Sequence, residues 1–402
     1  MSVKVKVSFI GLKDMLKFKN MGIDREAVIQ AAPTTEISAD YPINASAKAM
    51  HPDYQEMKIE KIIPHDAAGA KSYVLKRADG KPAAMFRAGQ YVSVSLRIGD
   101  SVVTRPYSVS SSPKYTLDGR VIITVKSNPD GFAADWILSN WSEGDTVKIS
   151  GGEGQFYYEP LRDEKNIIAL AGGSGITPFL SMAYAIRDGY EDFNLTILFG
   201  NRNEESILFK DELDDICKAC PKVKVVHVLS DEEKSGYEHG FITAELIEKY
   251  AGGDYSIFIC GPEAMYRFVD KEIGKLNKPR RQVRREMLGV THNVSEQEGY
   301  PKSAAGKIFN LTVKQADREY HIQARADETI LVAVERAGIT APSRCRSGEC
   351  GWCRSKLISG EVFMPKENEY RRWADKQHGY IHPCCSFPVS DIVLEVPGSY
   401  VK

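Results

Sequence analysis

Two different rhythms of hydrophobic and polar positions make up most of the chain. From about residue 55 to 160, short alternating segments such as YVSVSLRIGD and RVIITVKSNPDG are separated by Gly, Asp and Pro. This spacing is typical of an antiparallel barrel or sandwich. From about residue 164 to 289, the apolar runs NIIALA, NLTILFG, VKVVHVL and YSIFICG alternate with helix-like segments. That alternation predicts a parallel sheet with crossover helices, so we expect a multidomain protein.

The two ends of the chain follow other patterns. The N-terminus begins with a strand-like alternation from Val3 to Phe9, continues with a helix-like stretch, and ends in a run rich in Ala, Ser and Pro. From residue 307 come two strand signals, a helix (DETILVAVERAG), a cysteine-rich loop and a last strand (DIVLEV). We predict five regions: an extension of unknown role (1–52), a barrel (53–162), an α/β domain (163–289), a polar linker (290–306) and a third, α+β domain (307–402).

Composition narrows the possible partners and the location. The 402 residues are 43% hydrophobic and 27% charged, with a net charge of −1, so neither nucleic acid nor an anionic membrane is expected as the main partner. We find no run of 18 apolar residues and no apolar block of a signal peptide, so no membrane span and a cytoplasmic location are expected. In a reducing compartment, clustered cysteines serve more often as metal ligands or redox groups than as disulfides.

The cysteine-rich loop CRSGECGWC holds Cys345, Cys350 and Cys353 in the spacing C-x4-C-x2-C, and a further cysteine follows about thirty residues later in HPCCSFPVSD. Four thiolates at this uneven spacing fit a [2Fe–2S] cluster of the plant type. Gly348 and Gly351 allow the loop to fold tightly and to turn amide hydrogens toward the sulfurs.

Other uses of the cysteines stay open. A structural zinc site usually pairs two C-x2-C knuckles, which this spacing does not provide, and free core cysteines are the other alternative. Cys217 and Cys220 also form a C-x2-C, at a predicted helix end with no second pair nearby. We interpret these two as ordinary core or surface thiols.

A candidate flavin motif lies on a predicted strand of the barrel, in TRPYSVSSSP, at Arg105, Pro106, Tyr107 and Ser108. A flavin site needs an aromatic face, a cation for phosphate and a hydrogen-bond partner near N5. An exposed Arg beside a half-buried Tyr is the alternative. Downstream, DGFAADWILSNW predicts a helix opening at Gly131, Phe132, Ala133 and Ala134, where free amide hydrogens can donate to a pyrophosphate; an ordinary helix start is the alternative.

A candidate nicotinamide motif, GGSGITPF, follows the strand IIALA. Its turn residues can bind a dinucleotide pyrophosphate at a helix N-terminus, and a structural glycine turn is the alternative. We expect Thr177 to cap that helix and Pro178 to lie in its first turn. The residues of interest are Gly172, Gly173, Ser174, Gly175, Thr177 and Pro178, with Cys260, Gly261 and Pro262 at the end of the last parallel strand.

The residues after the second parallel strand bear on the choice between NADH and NADPH. Arg202 lies where a 2′-phosphate can bind, whereas Glu204 and Glu205 would repel that phosphate. We therefore expect NADH to be preferred.

The order of the motifs R-x-Y-S, G-G-S-G-x-T-P and C-G-P resembles that of the ferredoxin–NADP reductase family of flavoproteins, over residues 55–289. Residues 307–398 resemble a plant-type ferredoxin. Together they resemble the flavin–nicotinamide–ferredoxin reductases, which include oxygenase reductase components and the NADH reductases of hybrid cluster proteins. The resemblance implies a β-grasp fold for the third domain and FAD, a [2Fe–2S] cluster and NADH or NADPH as cofactors.

The resemblance also implies roles for individual residues. Tyr107 would flank the isoalloxazine ring, Arg105 would meet the flavin phosphates, and Ser108 would lie near N5. Cys260 would lie beside the nicotinamide, and Glu286 would be an acidic residue near the flavin. Ala133 and Ala134 replace a Ser or Thr of many family members, which leaves FMN as an alternative to FAD. The fourth ligand would be Cys384 rather than Cys385, because it lies four residues before Pro388.

The activity implied is transfer of electrons from the nicotinamide through flavin to the cluster, and then to a redox partner protein. That partner, an oxygenase, a hybrid cluster protein or another terminal acceptor, would dock near the cluster loop. Arg346, Ser347, Glu349 and Trp352 are candidates to face it. There are two competing hypotheses. One is a self-contained oxidase or reductase in which a small molecule accepts electrons at the flavin, and the other is a redox-sensing or scaffold subunit of a larger complex.

Overall fold

The structure is a computed structural model of the 402-residue chain. It describes residues 13, 16, 21–32, 41–127, 132–286, 289–290 and 293–398, and it divides into the compact units Met1–Lys48 and Ala49–Lys402. Two helices fall in the N-terminal extension, α1 (Met21–Ala31) and α2 (Pro42–Met50), and the side chains of α2 are exposed. The strand expected over Val3–Phe9 lies outside the described residues.

The first folded region confirms the predicted antiparallel barrel. Its strands pair in the order β4-β3-β6-β1-β2-β5, and a bridge between Val109 and Ile123 brings the chain after β4 against β5. Alternating side chains such as Met57, Val94 and Ile149 fill the interior, which explains the period-two pattern. The elements are β1 (Gln55–His65), β2 (Ala70–Arg77), β3 (Tyr91–Ile98), β4 (Ser101–Ser108), β5 (Arg120–Lys126), α3 (Phe132–Asn140) and β6 (Thr146–Ile149).

The second region confirms the predicted parallel sheet, with strand order β10-β9-β8-β7-β11-β12. All six residues of β11 are buried, as expected for a central strand with helices on both faces. Ala171 of β7 pairs with Cys260 of β11, so the carboxyl ends of these two strands are neighbours. The elements are β7 (Asn166–Gly172), α4 (Thr177–Arg187), β8 (Asn194–Asn201), α5 (Lys210–Ala219), β9 (Val223–Leu229), β10 (Glu238–His239), α6 (Ala244–Tyr250), β11 (Tyr255–Cys260), α7 (Glu263–Lys275) and β12 (Val283–Arg285).

The third region is the α+β domain, with a mixed five-stranded sheet in the order β14-β13-β19-β15-β17. Helix α8 packs on it through Ile330 and Val334, against Leu311 and Ile392 of the sheet. The elements are β13 (Ile308–Gln315), β14 (Arg318–Arg325), α8 (Ile330–Arg336), β15 (Ser355–Ser359), β16 (Val362–Phe363), α9 (Trp373–Gln377), β17 (Tyr380–Ile381), β18 (Phe387–Pro388) and β19 (Ile392–Glu395).

The segment before β13, which we assigned to a linker, packs against this third region. Val294, Tyr300 and Ala304 are buried in one cluster with Ala326 and Phe387. The few apolar residues of this polar stretch therefore fix its path, while the exact domain boundaries stay a prediction. Among the described residues, no helix is both long and apolar enough to cross a membrane.

Candidate active site and metal centre

The flavin motif occupies the last four residues of β4, which is paired along its length with β3. Arg105 is half-buried: its guanidinium donates to the carbonyl oxygen of Thr104 at 2.9 Å, and Glu335 lies 3.9 Å away. Burial, and after it the neighbouring cation of Arg346, together lower the pKa of Arg105 to about 10. A half-buried cation whose neighbouring carboxylate, Glu335, is as far as 3.9 Å away fits a phosphate group. Burial also raises the pKa of Tyr107, as expected for a ring inside a pocket.

The second predicted phosphate contact is a helix start, α3, which begins at Phe132. Gly131 lies outside the described residues. Ala133 is buried, Phe132 is exposed, and Asp135 in the first turn accepts a hydrogen bond from the Ser127 hydroxyl at 3.0 Å. Since Asp135 already places a carboxylate at this helix end, the first turn is a weaker anion site than its glycine suggested. The role of residues 131–134 stays a prediction.

The nicotinamide turn joins β7 to α4 through a 3-10 turn at Gly173–Ile176. A Cβ at Gly175 would lie 2.1 Å from the Cys260 carbonyl oxygen, and one at Gly172 would lie 2.6 Å from Met265 Sδ. The glycines therefore let the turn pack directly on the C-G-P segment at the end of β11. This close packing brings both sequence motifs to one edge of the sheet.

Thr177 differs from its prediction. The N-cap residue of α4 is Ile176 and it makes no side-chain cap, while the Thr177 hydroxyl donates to the Ser174 carbonyl oxygen at 3.0 Å. Thr177 cannot cap because the 3-10 turn runs directly into the helix and places it already inside the first turn. The prediction of a Thr177 cap is wrong, while Pro178 does lie in that turn.

Two cations lie near this turn, one of which the sequence reading missed. The Lys126 ammonium lies 3.8 Å from where a Cβ of Gly173 would be, and Gly173 has the left-handed φ of 52°. Burial lowers the pKa of Lys126, and the nearby Arg202 lowers it further. Lys126 ends β5 of the barrel, so the pattern showed only a basic residue at a strand end. Its position beside the turn appears only in three dimensions.

Glu204, expected to repel a 2′-phosphate, is neutralised by its neighbours. Lys234 and the Tyr237 hydroxyl donate to its carboxylate, and Lys210 lies 3.8 Å away. These hydrogen bonds, the one from Lys234 first, lower the pKa of Glu204 and keep it anionic. The preference for NADH stays a prediction.

Glu286 lies between the nicotinamide motif and the cysteine loop. It follows β12, its amide donates to the Ile259 carbonyl at 3.0 Å, and its side chain is buried. Burial raises the pKa of Glu286 well above its usual range, and Glu349 and Cys345 raise it further. Burial raises the pKa of the Cys260 thiol as well, with Glu286 adding to the shift.

The cysteine loop turns its backbone amides toward its sulfurs. The amides of Ser347 and Cys350 donate to Cys345 Sγ at 3.5 and 3.4 Å, and the Trp352 amide donates to Cys350 Sγ at 3.4 Å. Gly348 has a φ of 89°, and a Cβ there would lie 2.6 Å from the Asn368 carbonyl oxygen. The loop can close in this way only with glycine at that position.

The thiols of this loop and of Cys384 contact one another. Hydrogen bonds lower the pKa of Cys345, the largest effect coming from Cys350 and the next from Cys384. Hydrogen bonds raise the pKa of Cys384, the largest effect coming from Cys345 and the next from Cys353. Among the described residues, no three His, Cys, Asp or Glu side chains are placed to hold a single metal ion. A [2Fe–2S] cluster instead distributes four thiolates over two irons, and this set of four donors with its amide hydrogen bonds fits that group.

Cys385 is placed differently from Cys384. Its thiol points to the carbonyl oxygens of Asn368 and His382, at 3.6 and 3.5 Å. The Cys384 thiol instead contacts both Cys345 and Cys353, which favours Cys384 as the fourth ligand. The choice stays a prediction. Cys217 and Cys220 are free and pack against the core of the parallel-sheet region, in agreement with their interpretation as ordinary thiols.

Two of the four residues expected to face a partner are buried. Arg346 is 9% exposed and Ser347 is 2% exposed, so the prediction for them is wrong. Arg346 is buried because its guanidinium donates to both carboxylate oxygens of Glu335, at 2.6 and 3.0 Å. Glu349 and Trp352 are exposed, as is Cys350.

Three family models match the chain, in the order of the three regions. Residues 61–158 match the oxidoreductase FAD-binding domain, residues 169–271 the oxidoreductase NAD-binding domain, and residues 313–389 the 2Fe-2S iron-sulfur cluster binding domain. The matched segments contain the flavin motif, the nicotinamide turn with Cys260, and all four candidate cluster cysteines.

Several characterised proteins are similar over most of the chain. The glycine betaine monooxygenase reductase subunit of Chromohalobacter salexigens is 28% identical over 325 residues, which cover 77% of this chain and 87% of that protein. NADH oxidoreductase HCR of Escherichia coli is 27% identical over 311 residues, covering 77% and 88%.

A solved structure shares the same three-region arrangement. Phthalate dioxygenase reductase, described as a modular structure for electron transfer from pyridine nucleotides to [2Fe–2S], is 26% identical and superposes with a TM-score of 0.61. The match covers 85% of this chain and 98% of that one. The chain belongs to the flavin–nicotinamide–ferredoxin reductases of the ferredoxin–NADP reductase family, and it is an NAD(P)H-dependent oxidoreductase that passes electrons through FAD to a [2Fe–2S] cluster.

Proposed function

We propose that electrons enter this reductase beside Cys260 and leave it at the exposed side of the cluster loop, where a separate acceptor protein docks. One contact supports this path: Arg344, next to Cys345, lies 2.7 Å from the Glu153 carboxylate, so the cluster loop packs on the region that holds the flavin motif. Burial raises the pKa of Tyr91. Nearby negative groups raise it further, first the thiols of Cys345 and Cys350 and then the carboxyls of Glu153 and Glu286. Tyr91 and Glu286 thus both lie within electrostatic reach of the cluster loop, and Glu286 also reaches Cys260.

The cofactors would be held by residues from all three regions. Arg105 would hold a flavin phosphate, with Tyr107 and Ser108 against the ring, and the turn at 172–175 with Lys126 would hold the nicotinamide dinucleotide phosphates. When bound, FAD supplies the conversion of a hydride into two single electrons, which no side chain can perform. The cluster would be held by Cys345, Cys350, Cys353 and Cys384.

The protein's own contribution is to position the groups and to exclude water. Cys260 is 7% exposed at the end of β11 and limits where a nicotinamide ring can lie. Burial raises the pKa of Glu286 well above its usual range, which favours the neutral carboxyl over a negative charge in a site that receives electrons. These residues act as positioners, and none needs to serve as an acid or base toward a substrate.

The proposed exit is the surface formed by Glu349, Cys350 and Trp352. Trp352 is 49% exposed and its ring lies 4.8 Å from the buried guanidinium of Arg344, so it is presented to solvent in a fixed orientation. We propose an oxygenase component as the first acceptor to test, because relatives carry names such as 3-ketosteroid-9-alpha-monooxygenase, ferredoxin reductase component.

The experiment compares small and protein acceptors in wild-type and variant proteins. We expect NADH-driven reduction of both ferricyanide and cytochrome c by protein with full FAD and iron content. Trp352→Ala should slow reduction of the protein acceptor while leaving ferricyanide reduction unchanged. Trp373→Ala removes a more exposed tryptophan outside the loop and is the matched control.

Three results would contradict the proposal. No turnover with intact cofactors would favour the redox-sensing subunit. Oxygen consumption that accounts for all NADH oxidised, with no reduction of a protein acceptor, would favour the self-contained oxidase. Equal effects of the two tryptophan variants would show that Trp352 does not belong to a docking surface.

A further inference from the structure

The carboxylate of Glu335 is shared between two arginines from different regions of the chain. Glu335 lies near the end of α8 and its side chain is 4% exposed. It accepts both hydrogen bonds from Arg346 of the cluster loop, at 2.6 and 3.0 Å. Its other neighbour is Arg105 of the flavin motif, with 3.9 Å between Nη1 and Oε2.

The backbone at Glu335 is fixed against the flavin region as well. The Ser101 hydroxyl, at the start of β4, donates to the Glu335 carbonyl oxygen at 2.6 Å. Beyond the helix, a Cβ at Gly338 would lie 3.9 Å from Asp100. The end of α8 therefore packs on the β3–β4 hairpin, and β4 leads to Arg105 four residues after Ser101. Movement of Glu335 relative to either arginine would have to break this contact.

The charges around this contact do not balance. Two cations, the half-buried Arg105 and the buried Arg346, face a single carboxylate, and the shorter contacts go to Arg346. Burial and then the cation of Arg346 lower the pKa of Arg105, whereas Glu335 raises the pKa of Arg346. An anion that binds Arg105 would relieve this imbalance and leave Glu335 to Arg346 alone. A flavin phosphate is such an anion.

We propose that Glu335 is a positioning residue that links the phosphate end of the flavin site to the cluster loop. The inference rests on the proposed role of Arg105 as a flavin-phosphate ligand. Glu335 competes with the phosphate for Arg105, and it neutralises the charge that Arg346 places beside the cluster cysteines. Because linkage is reciprocal, flavin occupancy and the electrostatic environment of the cluster influence each other.

The test uses Glu335→Gln, which keeps the shape and removes the charge. We expect the [2Fe–2S] midpoint potential, followed by EPR during a redox titration, to shift upward, because an unneutralised Arg346 favours the added electron. FAD should bind the flavin-depleted full chain more tightly, on the order of fivefold. Riboflavin, which has no phosphate, should bind as it does to the wild type.

Glu328→Gln is the matched control. Glu328, two residues before α8, is also a buried carboxylate paired with an arginine, Arg336 of α8, at 2.6 Å. We expect it to change neither the potential nor the ratio of FAD to riboflavin affinity. If Glu335→Gln behaves like this control, or changes FAD and riboflavin binding equally, the proposal is wrong.

Two further variants separate the possible failures. Arg105→Gln should weaken FAD but not riboflavin; if it changes neither, the role proposed for Arg105 has failed. If Arg105→Gln shows that effect and Glu335→Gln shows none, only the inference about Glu335 has failed. Should Glu335→Gln lose the cluster, Glu335→Asp, which keeps the charge, should restore it. Loss in both variants would show a structural role alone and overturn the proposal.

Discussion

Gly175 and Cys260 are packed so closely that a single methyl group would not fit between them. A Cβ at position 175 would lie 2.1 Å from the Cys260 carbonyl oxygen and 2.7 Å from the Gly261 nitrogen. Both obstructing atoms are backbone atoms, one at the last residue of β11 and one at the residue after it, so neither can rotate away as a side chain would. The nicotinamide turn and the C-G-P segment therefore form one rigid unit.

Gly175→Ala should separate the turn from this strand end. Because a displacement of about 1 Å at a positioning contact can cost on the order of 100-fold in rate, we expect kcat/KM for NADH to fall by at least tenfold. FAD and iron content should be unchanged. Steady-state ferricyanide reduction measures the effect, and Gly274→Ala is the control, since a Cβ there meets no atom within 4 Å.

The fourth cluster ligand can be identified by two neighbouring substitutions. Cys384→Ser should abolish the EPR signal of the reduced [2Fe–2S] cluster, because the Cys384 thiol contacts Cys345 and Cys353. Cys385→Ser should keep the signal, since that thiol donates to the backbone carbonyls of Asn368 and His382 and, among the cysteines, contacts Cys384. The reverse pattern would show that Cys385 is the ligand.

Cys260→Ala tests the entry side of the electron path. Removal of the buried thiol should let the nicotinamide ring take more orientations and slow reduction of the flavin by NADH, on the order of tenfold. Iron content and the cluster EPR signal should not change, because Cys260 is outside the cysteine loop. Stopped-flow absorbance of the flavin gives the rate, and an unchanged rate would count against a positioning role.

The sequence predicted those parts of the site that lie on continuous segments. The glycine turn, the flavin motif and the spacing of the loop cysteines each depend on local backbone, so their patterns could be read directly. Contacts between regions were out of reach, because no local pattern brings Lys126 to Gly173 or Glu335 to Arg105. The same limit explains why Arg346 was placed on the surface: a loop arginine is usually solvated, and only α8 shows that a carboxylate buries it.

Lys126 is the cation that the sequence did not reveal, and we expect its removal to act on nicotinamide binding alone. Its ammonium lies beside the turn rather than at Cys260, so Lys126→Met should raise KM for NADH about tenfold and leave kcat unchanged. Lys126→Arg should retain most of the affinity, because it keeps the charge.

The pH dependence of KM distinguishes a phosphate contact from a structural effect at Lys126. Burial, with Arg202 nearby, lowers the pKa of this lysine, so its charge is lost at a lower pH than that of an ordinary lysine. In the wild type, KM for NADH should therefore rise as the pH increases through this lowered pKa. An arginine stays charged over the same range, so KM of Lys126→Arg should stay flat. The methionine variant should also show a flat profile, at the raised value. Parallel pH profiles in all three proteins would show that Lys126 does not bind the dinucleotide.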